Sequence, residues 1–242
     1  MKIAIDIGNT SITVGLFDNY HLLKKIYFNS NIHLIEFLND IQTDNISTCI
    51  ISSVVPELTD EYNRILTTQY DIPSIIIDFN MSQLDLEVPN PETIGTDRLC
   101  NMHASQKDYS TPAIIIDFGT ATTYDVLNEK GQFIGGAIAP GIETSAKYLI
   151  KKAALLSSTD LLFPDSVIAK DTTTNIQSGI MFGAVDQVEG MVKRIFKEFP
   201  ADYSMILTGG FASLISSKLN FEHIVDQDLT LKGMLYIHEC NS

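Results

Sequence analysis

Basic residues are scarce in this chain: 242 residues carry 16 Lys and Arg against 30 Asp and Glu, a formal charge of −14. That argues against a nucleic-acid or anionic-membrane surface, because displacing counterions from phosphates needs a basic stripe. Any anionic substrate must instead be met by a local cluster of donors, since the overall field repels it. No apolar run reaches membrane-spanning length, and Met1-Lys2 leads straight into an apolar strand pattern instead of a cleavable leader, so the expected location is the cytoplasm. Cys49, Cys100 and Cys240 show no redox or metal-ligand spacing and read as structural thiols. The five His residues include no pair at metal spacing.

What is present is a repeat. Ile3-Ala4-Ile5-Asp6-Ile7-Gly8-Asn9-Thr10 is echoed by Ile114-Ile115-Ile116-Asp117-Phe118-Gly119-Thr120-Ala121. In each, a β-branched apolar run ends in Asp-x-Gly and small polar residues, the pattern of a buried strand running into a tight turn. Glycine lets backbone N–H groups approach an anion, so each turn is a candidate phosphate hairpin, with an ordinary Asx-type turn as the alternative. The Asp would repel phosphate, and its expected task is to hold a cation beside it. The two Asp residues lie half a chain apart, so a duplicated domain is expected, with two similar halves facing a shared cleft.

Two further stretches stand out. Gly95-Thr96-Asp97-Arg98 follows the stiff Val88-Pro89-Asn90-Pro91 loop and places a carboxylate beside a bidentate anion donor at a helix start, with an ordinary N-terminal helix carboxylate and a surface ion pair as the alternative. Thr208-Gly209-Gly210 follows a strand and precedes a helix, a setting that suits close approach by a nucleoside.

In this order and in so short a chain, Asp6-x-Gly8-Asn9-Thr10, Gly95-Thr96-Asp97-Arg98 and Asp117-x-Gly119-Thr120-Ala121-Thr122-Thr123 resemble type III pantothenate kinase, within the actin, sugar-kinase and Hsp70 superfamily. The resemblance implies an α/β fold of two duplicated actin-like, ribonuclease H-like half-domains with mixed sheets flanked by helices. It implies ATP-dependent phosphorylation of the 4′-hydroxyl of pantothenate, the first step toward coenzyme A. Asp97 would be the catalytic base. Asp6, Ile7, Gly8, Asn9, Thr10, Ser11, Ile12, Thr13 and Thr120 would bind ATP. Gly95, Thr96, Asp97, Arg98 and Thr172 would bind pantothenate. Asp6 would hold Mg²⁺ through water, Asp117 would ligate K⁺ or NH₄⁺, and the protein would be a homodimer. There are two departures: many relatives carry Lys where this chain has Thr13, and Tyr where it has Val88. A regulatory or accessory protein of the same fold is the alternative, and a nucleotide-switch ATPase is a third reading. Loss of Asp6, Asp97 or Asp117 would favour the accessory protein, and all three are present. The switch ATPases carry large subdomain insertions, which this chain lacks.

Residues 1–109 form the expected first half, in the order β-β-β-α-β-α-β, and 110–242 the second, with the break at Ser110-Thr111-Pro112. A helix is expected over 31–41 with a cap at Ser30 or Asn31. A long helix over 175–199 is expected to align Ile176, Ile180, Ala184, Val188, Val192, Ile195 and Phe199 in one apolar stripe, for the core or for a subunit contact. Leu229 to Glu239 reads as a final helix of the second half.

Overall fold

The computed structural model describes residues 1–28, 32–41, 43–153 and 159–242; the expected cap at Ser30 or Asn31 lies outside them. The chain divides into two compact units, one of Met1–Tyr109, Gln132–Ile134 and Asp228–Ser242, the other of Ser110–Gly131 and Gly135–Gln227.

In the first unit β1 (Lys2–Ile7), β2 (Ile12–Asp18) and β3 (His21–Phe28) form an antiparallel meander. Next come α1 (Ile32–Asp40), β4 (Thr48–Ser53), α2 (Pro56–Gln69), β5 (Ser74–Ile76) and α3 (Thr96–Asp108). The sheet order is β3-β2-β1-β4-β5, with β4 parallel to β1. Alternation along the strands divides this sheet between two cores. Ile3, Ile5 and Ile7 of β1 and Cys49 and Ile51 of β4 pack with Leu34, Phe37, Tyr62 and Leu66 of the helices α1 and α2. Ala4 and Ile50 point the other way and pack with Cys100 of α3. Asp6 and Ser52 are two residues further along the same strands, so they share the α3 face.

The second unit repeats the scheme with β6 (Ala113–Phe118), β7 (Ala121–Leu127), β8 (Phe133–Pro140, of which Phe133 and Ile134 belong to the first unit), α4 (Ile142–Lys152), α5 (Thr172–Glu198), β9 (Ser204–Gly209), α6 (Ala212–Ser216) and β10 (Ile224–Val225). Its sheet order is β10-β9-β6-β7-β8, and β9 runs parallel to β6 as β4 does to β1. Among the described residues, no helix is long and apolar enough to cross a membrane.

Three expectations need correction. The final helix, α7 (Leu229–Cys240), belongs to the first unit: Leu231, Met234, Leu235 and Ile237 bury against Ala4, Ile50 and Cys100. It crosses α3 so closely that a methyl at Gly233 would overlap the Cys100 carbonyl, and Lys25 on β3 bonds Asp228 just before it at 2.6 Å. Helix α5 starts three residues early, because Asp171 caps it by accepting from Thr174 N at 3.0 Å. Its buried line runs through Ile176, Met181, Val185, Val188 and Val192, whereas Phe199 is half exposed. Ile180 and Ala184 lie round the helix from that line and border a cavity of about 270 Å³ with Ile142 and Gly183. Cys49 and Cys100 are buried as structural thiols should be, but Cys240 is exposed, 4.0 Å from His103 Nε2.

His103, on α3, has its Nδ1 buried, and burial, followed by the charge of Lys107, pushes its pKa below the usual value. The unfolded chain therefore takes up this proton at a higher pH than the folded one does. This term is constant above the unfolded pKa of about 6.5 and costs stability as the pH falls below it. Thermal unfolding at pH 5.0 and 7.5 is expected to show a smaller acid loss for His103→Gln than for the wild-type chain. Equal losses would contradict the assignment.

Candidate functional site

The first hairpin closes with Gly8 N donating to Ser11 O at 3.0 Å. Asn9, Thr10 and Ser11 at its tip are exposed, and Asp6 is half buried at its base. Ile7 and Ile12 are core residues, so only their backbone is available to a ligand, and Ile7 O already accepts from Val54 N at 3.1 Å. Thr13 lies beyond the turn, on β2 and in register with Asp6, which puts the two side chains on one face.

Because α3 covers that face, its first turn meets Asp6. Ser52 is fully buried and in register with Asp6 on the other side, and its Oγ donates to Asp6 Oδ1 at 3.2 Å. The Thr96 hydroxyl lies 3.1 Å from Ser52 Oγ and 3.3 Å from Ser53 O. Cys100, one turn further along α3, is buried, and its thiol pKa is pushed up first by burial and then by the Asp6 and Asp97 carboxylates. Both carboxylates therefore act at the same end of α3.

Gly95 precedes α3, and a Cβ there would press on Asp97 Oδ1, so the absence of a side chain keeps room for the carboxylate. Asp97 Oδ1 accepts from Arg98 N at 2.8 Å, and a carboxylate in a helix's first turn also has a favourable place in the backbone dipole. The Arg98 guanidinium stacks 5.6 Å from the centre of the Phe133 ring. Phe133 is itself fixed to the segment leading into this loop, donating to Asp85 O and accepting from Glu87 N, each at 2.9 Å.

The second unit repeats the arrangement. Asp117 is flanked in register by Thr123 on β7 and Thr208 on β9, as Asp6 is by Thr13 and Ser52. Ser52 thus matches Thr208, and Ser53 matches Gly209, a register that motif order alone did not reveal. Gly209 has φ of +88°, and a Cβ there would meet Asp117 Oδ1 and the Phe118 backbone. Thr120 is exposed at the hairpin tip, its carbonyl accepting from Gly141 N at 3.1 Å and Thr144 Oγ1 at 2.7 Å. Thr172 is exposed as the first residue of α5, where Asp171 supplies the cap.

A central-strand carboxylate leading into a hairpin, occurring twice, is what the sequence repeat leads one to expect; the hydroxyls on the flanking strands are an addition of the structure. The sequence model of the type III pantothenate kinase family matches residues 2–194. The chain belongs to this family. Type III pantothenate kinase of Dehalococcoides mccartyi (strain CBDB1) is 36% identical over 251 residues, covering 99% of this chain and 95% of that one. The enzyme of the same name from Listeria monocytogenes serotype 4a (strain HCC23) is 36% identical over 253 residues, covering 100% and 98%. Among solved structures, a Campylobacter jejuni protein assigned to the Baf family of transcriptional activators superposes with a TM-score of 0.64 at 19% identity, covering 99% of this chain and 98% of that one. The activator of 2-hydroxyisocaproyl-CoA dehydratase from Clostridium difficile, solved with bound ADPNP, gives 0.51 at 13%, covering 99% and 95%. At these identities the structures share the fold alone, and with the two mixed sheets they make it the duplicated actin-like fold of this kinase family.

Proposed function

We propose that this chain is an ATP-dependent pantothenate kinase that transfers the γ-phosphoryl group to the 4′-hydroxyl of pantothenate, the first step toward coenzyme A. The observation that carries the reading is the convergence of Asp6 with the Gly95–Arg98 segment on one face of one sheet, in a chain that belongs to this family.

Asp97 is the base that accepts the hydroxyl proton as the oxygen attacks the γ-phosphorus. Arg98, its guanidinium plane held against Phe133, pairs with the pantothenate carboxylate, and Thr172 is a further pantothenate contact. Backbone N–H groups and side chains of Asn9, Thr10 and Ser11, with Thr13 and Thr120, cradle the phosphates. Among the described residues no three His, Cys, Asp or Glu side chains form a metal-binding group. That donor set suits a Mg²⁺ that arrives on ATP phosphates and water and is touched by Asp6 through water, and it does not suit an all-protein cage. Bound there, Mg²⁺ would supply charge neutralisation to the phosphates of ATP. Asp117, between the hydroxyls of Thr123 and Thr208, is the ligand for a monovalent cation, K⁺ or NH₄⁺. The active form is a homodimer in the cytoplasm.

ADP release from Mg-ATP, measured with and without pantothenate in K⁺ and then in Na⁺ buffer, tests the reading. Pantothenate-dependent release that falls at least severalfold in Na⁺ supports it, and Asp117→Asn is expected to remove most of the K⁺ dependence. Nucleotide binding without pantothenate-dependent release would point to an accessory protein of this fold.

A further inference from the structure

We infer that Ser52 is a positioning residue, through which Thr96 at the start of α3 holds the Asp6 carboxylate in place for the metal-bound nucleotide; the inference rests on the kinase reading. The direction of the hydrogen bonds follows from the groups themselves. An ionised carboxylate only accepts, so at the 3.2 Å contact Ser52 spends its single proton on Asp6 Oδ1. Ser52 Oγ then has only lone pairs to offer Thr96, 3.1 Å away, and the single Thr96 proton is shared between Ser52 Oγ and Ser53 O, 3.3 Å from it. The contacts link Thr96 and Ser52 to Asp6, and they run from the candidate pantothenate loop to the candidate metal carboxylate.

Its members come from three elements fixed by the fold. Asp6 and Ser52 are register partners on parallel strands, and Thr96 opens the helix packed over them. Ser52 has no solvent exposure, so no bulk water stands by to replace the hydroxyl if it is removed. The second unit has Thr208 in the same register beside Asp117, a second hydroxyl at the matching place.

The test compares Ser52→Ala, Thr96→Val and the double variant by calorimetric titration with a non-hydrolysable ATP analogue, with Mg²⁺ and in EDTA, and by steady-state kinetics. Groups that orient a metal-site ligand are worth about 10–100-fold in affinity or activity. Ser52→Ala is accordingly expected to weaken analogue binding in Mg²⁺ by about tenfold or more, to leave binding in EDTA within twofold, and to lower kcat more than it raises KM for pantothenate. A purely structural role would weaken both titrations alike. Thr96→Val is expected to cost severalfold in the wild-type background and less than twofold further in Ser52→Ala, because it acts through Ser52. Equal binding of wild type and Ser52→Ala in Mg²⁺, or a full Thr96→Val effect in both backgrounds, would overturn the inference. The titrations need no turnover, so failure of the kinase reading appears separately, as a wild-type protein that binds the analogue and leaves pantothenate unphosphorylated.

Discussion

Replacing Asp97 by Asn is expected to lower kcat by about 10²–10⁴-fold, the usual worth of a positioned general base. The lower part of that range is the more apt, because a loose phosphoryl-transfer transition state asks little deprotonation of the attacking hydroxyl until late. Asp97 Oδ1 is held by Arg98 N at 2.8 Å, and Gly95 leaves the carboxylate its room. Among the described residues Oδ2 makes no hydrogen bond and is the oxygen left to take a proton. Asn keeps the shape and the contact with Arg98 N, so analogue binding in Mg²⁺ should stay within a few-fold while turnover collapses. Steady-state kinetics beside calorimetry separates the two, and a kcat within threefold of wild type would remove Asp97 from the base position.

The second large effect concerns stability, and it contrasts two adjacent residues. Gly209→Ala must place a side chain at φ +88° and against Asp117 Oδ1 and the Phe118 backbone. The dihedral costs about 1–3 kcal/mol, and the forced overlap about the same again, for a total of roughly 2–6 kcal/mol. Gly210→Ala meets nothing within 4 Å and has no positive φ, so a change within about 0.5 kcal/mol is expected. Urea and thermal unfolding of the two variants decide the matter. Similar midpoints would mean that the close approach of Gly209 to Asp117 is not a constraint on the fold. In Gly209→Ala the displaced Asp117 should also weaken the response to K⁺, whereas Gly210→Ala should retain it.

Local patterns carried much of this fold. The paired Asp-x-Gly runs end buried strands because β-branched residues reach the core on both faces, and the turns that follow them are where the small polar residues predicted them. The start of α2 at Pro56 and the span of β3 were readable for the same reason, since proline and alternation act within a few residues. What escaped depends on contacts distant in sequence. Nothing in the apolar stripe of α7 says which sheet it covers, and its partner is fixed by Gly233 against Cys100 and by Lys25 against Asp228. Of the apolar stripe of α5, Ile176, Val188 and Val192 are buried while Ile180 and Ala184 border a cavity, a division that periodicity alone does not show. The two-residue strand β10 is too short to leave a period.

The site divides along the same boundary. Asp6, Asp97 and Asp117 are visible as motif residues, and the structure brings the first two to one end of α3. Ser52-Ser53 was legible as the first-half counterpart of the Gly209-Gly210 turn, one position out from the match the register gives. The relation of Ser52 to Asp6 needs the register of β1 with β4, which sequence spacing does not supply. With that register known, the alternation Ala4, Asp6 beside Ile50, Ser52 would have put both polar side chains on the α3 face. Thr172, expected among the substrate contacts, stands exposed beside a cap made by Asp171.

The central claim is that this chain phosphorylates pantothenate, and the most direct measurement is the product itself. Incubation with Mg-ATP and pantothenate in K⁺ buffer, followed by mass spectrometry of the small molecules, should show pantothenate gaining one phosphoryl group, ADP appearing in equal amount, and both forming about 10²-fold or more slowly for Asp97→Asn. Unchanged pantothenate beside a protein that still binds the ATP analogue would contradict the account.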